Sequence, residues 1–380
     1  MQVNELNRDT LRRLAELKPE QGKVVSLYLN LDPSEFATPQ ARASQAHSLM
    51  DDGHARAKAL GEDLSHDDKK ALDADLGELR ELLDGGSFDP EGAHGIAIFR
   101  SSPADVFELI RLPRPVEGRV FIDDSPLVEP LVDMVSAGTW AVLLVSRRTA
   151  RLLRGSASQL REVGDFREQV RGESDEGSRA VDQHSVDAEV KAHVARAAEE
   201  LQRRFRRRAF DRLLVACSPE LWPELESNLH ADTARRLAGR FEVEVERSTP
   251  QEVLEAAAPA IDDDDRRRER EALDRVNEGL GSGGRGAAGL DETLAVLNER
   301  RVETLLFEEG FSAPGVVCSS CGWIGAAAAS CPVDDGQLHQ RDDVIESAVE
   351  LALEQAAGVI VVHHHDDLGP RGSIGAVLRF

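Results

Sequence analysis

The chain has 380 residues, 41% of them apolar, and a formal net charge of -24. That is enough length and apolar content for two or three domains with separate cores. The charge excludes a protein that coats nucleic acid through a global positive field, so any nucleic-acid contact has to be local.

No apolar run is long enough to cross a bilayer, and the opening MQVNELNRDTLRRL lacks a signal peptide's apolar segment. No membrane partner is therefore expected, and the expected location is the cytoplasm. The stretch VVSLYLNLDP (24–33) predicts a buried strand closing in a turn at Asp32 and Pro33. After a polar, Ala-rich helical region, AHGIAIFRS (93–101) and ADVFELIRL (104–112) predict a strand pair. Residues 1–130 are expected to form an N-terminal α/β domain.

WAVLLVSRRTARLLRG (140–155) predicts two strands about a tight polar turn, with Arg147, Arg148, Arg151 and Arg154 along it. A long helix follows, because Val186, Val190, Val194, Ala197, Leu201 and Phe205 recur every three or four residues and share one face. LLVAC (213–217) and FEVEVE (241–246) predict further strands, with Cys217 a core thiol. Thr249, Pro250 and Glu252 compose a capping box at a helix start. Strands alternating with helices predict a mixed sheet covered by helices, over 131–277.

The run DDDDRRRERE (262–271) predicts a solvated helix start rather than a nuclease cluster, because consecutive carboxylates point in different directions. Gly281, Gly283 and Gly286 satisfy GxGxxG but follow a charged helix instead of a strand, so a hinge is expected there and no dinucleotide site. Beyond them come a helix with Leu290, Leu294 and Leu297, a strand VETLLF (302–307), a helix with Val344, Ile345, Ala348, Val349 and Ala352, and strands GVIVVH (358–363) and IGAVLRF. These predict an α/β sandwich over 278–380 with a cysteine knuckle, 316–337, inserted in it. HHHDD (363–367) is expected to be a solvated loop.

The knuckle holds three of the chain's four cysteines, a density that favours a metal site over a disulfide framework in a reducing compartment. Cys318 and Cys321 form a CxxC, whose spacing lets two thiolates grip one ion from a tight turn. Cys331 opens CPVD, which puts Asp334 where a second CxxC would place its last sulfur; His339 is the alternative fourth ligand. The expected ion is a structural zinc. The competing reading is a knuckle that has lost one cysteine and folds without metal. RRFRRRAFDR (203–212) is the strongest basic patch in the chain. It either complements a helix C-terminus or brings Arg203, Arg204, Arg206, Arg207 and Arg208 to RNA phosphates, together with Arg147, Arg148, Arg151 and Arg154.

The order of these parts resembles the archaeo-eukaryotic class-I release factor and Pelota superfamily, in its bacterial branch. The resemblance is carried by the long helix DAEVKAHVARAAEELQRRF, the glycine-rich lead-in, VETLLFEEG, the inserted CSSCG…CPVDDG and the closing GSIGAVLRF. It covers most of 130–380, with a looser match through VVSLYLNLDP and VFIDDSPLVEPLV. It implies a three-domain, tRNA-shaped protein that enters the ribosomal A site. It further implies an RNase H-like middle domain and a C-terminal domain, similar to kink-binding ribosomal proteins, that docks a translational GTPase. In the family a GGQ loop before the long helix lets water attack peptidyl-tRNA. Here the segment reads REQVRGESDEGSRAVDQHS, without GGQ. Gln183 is the nearest stand-in for the catalytic glutamine, with Asp182 in place of the preceding glycine and the acidic Glu173, Asp175 and Glu176 nearby. The resemblance thus points to a non-hydrolytic A-site factor of the hibernation or stress type. A peptidyl-tRNA hydrolase with a divergent loop and a non-ribosomal scaffold are the alternatives.

Overall fold

The computed structural model describes residues 3–380 apart from 5, 20, 62–63, 85–92, 113, 137, 157–158, 168–182 and 283. It divides into two compact units, Met1–Ser136 with Glu269–Phe380, and Ala137–Arg268. The first unit begins with β1 (Val3–Asn4), α1 (Arg8–Ala15), β2 (Val24–Asn30), α2 (Pro39–Leu60), α3 (His66–Asp84), β3 (Gly95–Ser101), β4 (Val106–Leu112), β5 (Arg119–Asp123) and α4 (Glu129–Ser136). The strands form one sheet in the order β1-β4-β3-β2-β5. β2 sits between antiparallel β3 and β5, which is why every one of its residues is buried. Its Val25, Leu27 and Leu29 pack beneath α2 and α3 with Leu49, Met50, Leu72, Leu76 and Leu79. On the other face Tyr28 meets Phe99 edge-on at 6.1 Å, in a core continuous with the C-terminal part of the unit.

The second unit holds β6 (Trp140–Val145), β7 (Thr149–Gly155), β8 (Leu160–Arg167), α5 (Gln183–Arg207), β9 (Arg212–Cys217), α6 (Trp222–Asn228), α7 (Ala231–Ala234), β10 (Leu237–Arg240) and the start of α8 (Pro250–Ser282). Its sheet runs β10-β9-β6-β7-β8. β6, β7 and β8 form an antiparallel meander, and β9 and then β10 add in parallel. That is the strand order expected of an RNase H-like sheet. Val190, Val194, Ala197 and Leu201 of α5 cover one face of the sheet, as their spacing predicts. Val253, Leu254, Ala257 and Ile261 of α8 cover the other, over Trp140, Val142 and Leu144.

Three expectations need correction in this unit. Residues 241–246 make no ladder; the edge strand is β10, immediately before them. The alternation in FEVEVE records one-sided packing of Phe241, Val243 and Val245 on the core; the Phe241 amide still donates to the Val215 carbonyl of β9 at 3.1 Å, and the chain turns at 245–247. The acidic run lies in the middle of α8, a single 33-residue helix, and Asp264 is 3% exposed. Asp264 and Asp265 hold the buried Arg212 at 3.4 and 2.6 Å, and its guanidinium lies 5.0 Å from the centre of the Trp140 ring. Cys217 is half-buried at the end of β9, where partial burial raises its thiol despite Arg240. The capping box forms as expected. The Thr249 amide donates to the Glu252 carboxylate at 2.7 Å, and the Glu252 amide donates to the Thr249 hydroxyl at 3.3 Å. Thr249→Ala is expected to cost about 1 kcal/mol in a urea titration.

The first unit resumes with the end of α8 and then β11 (Gly286–Ala288), α9 (Leu290–Asn298), β12 (Val302–Glu308), β13 (Gly315–Cys318), β14 (Ile324–Gly325), β15 (Leu338–Arg341), α10 (Val344–Glu354), β16 (Gly358–Val362) and β17 (Ile374–Leu378). A four-stranded sheet, β11-β17-β12-β16, packs its core on α9 and α10. A separate three-stranded sheet, β14-β13-β15, is the inserted knuckle. Because α8 runs on to Ser282, Gly281 is helical, and no strand leads into the GxGxxG match.

Candidate functional site

The knuckle is built by two tight turns facing each other at one end of the small sheet. In the first, the Gly322 amide donates to the Cys318 carbonyl at 3.0 Å and the Cys318 amide to the Trp323 carbonyl at 2.8 Å. Gly322 takes φ +73, a left-handed conformation that glycine adopts without strain. In the second, the Asp335 amide donates to the Cys331 carbonyl at 3.0 Å. The Val333 amide points at the Cys331 sulfur, 3.4 Å away.

The turns bring one ligand atom from each of Cys318, Cys321, Cys331 and Asp334 within 4.8 Å of one another. The Cys321 and Cys331 sulfurs are 3.4 Å apart, and the Cys318 sulfur is 3.5 Å from an Asp334 oxygen. A tetrahedral ion with bonds of ~2.3 Å needs ligand edges of about 3.8 Å. The donor set therefore fits one metal ion. Cys318 and Cys331 are buried, whereas Cys321 and Asp334 lie at the surface. Among the described residues no other His, Cys, Asp or Glu group is placed this way. His339, on β15 opposite Val317, is outside the group, which corrects the alternative for the fourth ligand.

Ser320 and Gly336 support the ligands. The Ser320 hydroxyl bridges the Cys318 sulfur, at 3.2 Å, and the Asp334 carboxylate. That hydroxyl, the Cys331 thiol and the Gly336 amide hold Asp334 well below the usual carboxylate range. Ser320 and the Cys321 amide likewise lower Cys318. Although the Trp323 amide favours its thiolate, burial, Cys331, Cys318 and Asp334 push the Cys321 thiol up to about 12. A Cβ on Gly336 would sit 2.5 Å from the Ser320 oxygen, 2.8 Å from Asp334 and 3.0 Å from the Cys318 sulfur. Only glycine leaves that space for the four donors to close.

The histidines of HHHDD lie in the loop after β16, where each is engaged separately. His363 lies 3.0 Å from Asp133 and 3.2 Å from Glu309, His364 is 2.8 Å from Glu269, and His365 is 2.9 Å from Arg270.

The arginines fall into distinct settings. Arg147 and Arg148 are exposed at the β6–β7 turn, and Arg147 pairs with Glu220 at 3.0 Å. Arg151 is 6% exposed and donates to both Glu162 oxygens and to the carbonyls of Val245 and Ser248. Those bonds occupy its guanidinium, so its assignment to RNA is corrected: alternation along β7 points this side chain inward. Arg154 donates to the carbonyls of Arg208 and Ala209, at 2.6 and 2.7 Å, closing the end of α5. Arg203 and Arg204 both pair with Glu200. Arg203, Arg206 and Arg207 line a groove of about 590 Å³ with Glu199, Gln202, Asn228 and His230. Arg208 is exposed beyond the helix. Gln183 is the first residue of α5; its side chain, like the preceding 168–182 segment, lies outside the described residues.

Comparison with known proteins places these observations. Residues 126–262 match the model of bacterial archaeo-eukaryotic release factor family 10. No curated protein matches the chain. Among solved structures, the chain is similar to the archaeal translation termination factor aRF1 at 17% identity and TM-score 0.27, covering 99% of each chain. It is also similar to archaeal Pelota, in a ribosome-bound assembly with ABCE1, at 12% identity and TM-score 0.41, covering 100% of this chain and 95% of that one. A peptide chain release factor C-terminal domain from Methanosarcina mazei matches at 26% identity and TM-score 0.27, over 36% of this chain and 98% of that one. The assignment rests on the family match, which spans most of the RNase H-like unit. The similarity that the sequence can claim is therefore that of residues 126–262, which match a family of the bacterial branch of the archaeo-eukaryotic release factors.

Proposed function

We propose that the protein is a ribosome-associated translation factor that occupies the A site in a tRNA-like manner without hydrolysing peptidyl-tRNA. The family match supports the ribosomal setting. The observation that carries the binding mode is the arginine-rich end of α5 in a chain of net charge -24, a local basic surface of the kind RNA phosphates require. The absence of Gly-Gly-Gln from the sequence supports a non-hydrolytic, hibernation or stress role. Archaeal Pelota is described in a ribosome-bound assembly, and Dom34 of S. cerevisiae as interacting with Hbs1. On the strength of the family match, we extend that setting to this chain and assign it a translational GTPase partner and the cytoplasm as its location. The knuckle, in this reading, holds a structural zinc ion through Cys318, Cys321, Cys331 and Asp334.

The test adds the purified chain to ribosomes carrying labelled peptidyl-tRNA and follows co-sedimentation and peptide release together. Binding without release is the expected result. Release would return catalysis and direct attention to Gln183, and failure to bind would leave a scaffold. Alanine at Arg203, Arg204, Arg206, Arg207 and Arg208 together is expected to weaken binding and flatten its salt dependence, by roughly one unit of slope for each phosphate that the arginines no longer neutralise.

A further inference from the structure

The groove at the end of α5 has features that a plain phosphate-binding surface does not need. Glu199, Gln202, Arg203 and Arg206 lie three, four and seven residues apart, on one helix face. Arg207 flanks them, and Asn228 and His230 form the opposite wall. The volume of about 590 Å³ is in the range of small-ligand sites, ~300–1,000 Å³. Three guanidinium groups line it against the single carboxylate of Glu199. Arg206 and Arg207 are exposed and have no partner among the described residues.

The floor is different in kind. Gln202 lines the groove, and its amide oxygen is buried with no hydrogen-bond donor among the described residues. A phosphodiester offers only acceptors, so it cannot satisfy that oxygen. A base amino group or a ribose hydroxyl can. The Asp232 amide donates to His230 Nδ1 at 3.2 Å, which leaves Nε2 as the ring nitrogen available to a ligand. The Asn228 amide nitrogen donates to the Glu224 carbonyl at 2.7 Å, so its oxygen remains to accept. Donors for an anion thus stand beside acceptors for a nucleoside.

We infer that this groove binds a nucleoside phosphate unit, its phosphate on Arg206 and Arg207 with Arg203 in support, and its base or ribose hydrogen bonded to Gln202. The inference deepens the proposed ribosomal role by giving the basic surface a single-nucleotide pocket. The same chemistry is supplied by an unpaired RNA nucleotide or by a free nucleotide.

The test uses the full chain in calorimetric titrations with inorganic phosphate, the four 5′-monophosphates and a single-stranded RNA trinucleotide, beside ribosome co-sedimentation. At least one monophosphate is expected to bind about 10-fold or more tightly than inorganic phosphate, and Arg206→Ala with Arg207→Ala to lose about 10-fold or more of that affinity. Gln202→Leu is expected to weaken the nucleotide several-fold and leave phosphate unchanged. If the alanine pair fails to fold, Arg206→Lys with Arg207→Lys keeps the charge and is expected to lose the bidentate share only. Trinucleotide binding tighter than any monophosphate, with a steeper salt dependence, identifies RNA as the source; equal affinity identifies a free nucleotide. The inference is overturned if phosphate and monophosphates bind alike, or if Gln202→Leu changes neither. Ribosome binding that persists without nucleotide binding would sink the pocket and spare the proposed function. Nucleotide binding without ribosome binding would do the reverse.

Discussion

Replacing Cys331 with serine, or stripping the purified chain with a strong chelator, is expected to melt the knuckle while the larger sheets stay folded. The reason is the size of its core. Among the side chains of 315–341, the buried hydrophobics are Val316, Cys318, Ile324 and Cys331, and two of these are donors to the site. So little apolar area cannot offset the ordering of more than twenty residues, each costing about 1–2 kcal/mol of backbone entropy. A structural zinc supplies on the order of 10–16 kcal/mol in small finger peptides at neutral pH. The ion also resolves an electrostatic problem, since three sulfurs and a carboxylate brought this close cannot all ionise without a cation between them. Elemental analysis is expected to find about one zinc ion per chain. Hydrogen exchange at Val316–Cys318 should accelerate on chelation, while the β12 and β17 amides keep their protection. A chain containing only traces of metal, with those amides equally protected, would refute the site.

How much of this was legible in the sequence depended on whether the signal was local. The CxxC, the CPVD and the Thr249 box are short-range geometries, and they formed where residue spacing predicted them. The strands β2, β6 and β9 were readable because burial on both faces leaves continuous apolar runs. Arg151, Asp264 and the nucleotide groove were not readable, because each depends on a partner far along the chain. Arg151 is held by the Val245 and Ser248 carbonyls, Asp264 by Arg212, and the groove closes only when Asn228 and His230 come beside α5. A charged residue inside a basic or acidic run looks solvated until the fold supplies its counterpart. Gly336 carried a weak local sign in DDG, but its purpose, making room for Ser320 and two ligands, is tertiary. FEVEVE misled for the converse reason: a period of two reports a buried side and does not report a hydrogen-bonded neighbour.

Raising the pH from 5 to 9 is expected to destabilise the first unit steadily, and Glu350→Gln to remove a large part of that slope. Glu346 and Glu350 lie four residues apart on α10 and face β5 and α4. Burial, with Asp123 adding to it against Ser125, Lys18 and Arg341, raises the Glu350 carboxyl to about 8. Its oxygens accept from the Ser125 hydroxyl at 3.0 and 3.1 Å. Burial and Asp343, opposed by Arg119 and joined by Glu129 and Asp123, raise Glu346 to about 7. On β16's outgoing loop, His363 is raised to about 9 by its hydrogen bond to Asp133, against partial burial and with help from Glu309. In all three the folded state holds a proton that the unfolded chain has already released. Their contributions are therefore complete below the unfolded values, near 4.5 for the glutamates and 6.5 for the histidine. They are lost as pH climbs to 7, 8 and 9 respectively, each with a slope of about 1.4 kcal/mol per pH unit. Glutamine at 350 stays neutral at every pH and can still bond Ser125. Urea titrations at pH 5, 7 and 9 should therefore show the variant close to the parent at pH 5 and clearly more stable at pH 9. Parallel curves across that range would mean that Glu350 ionises in the folded state as readily as in water, and that the α10 interface tolerates its charge.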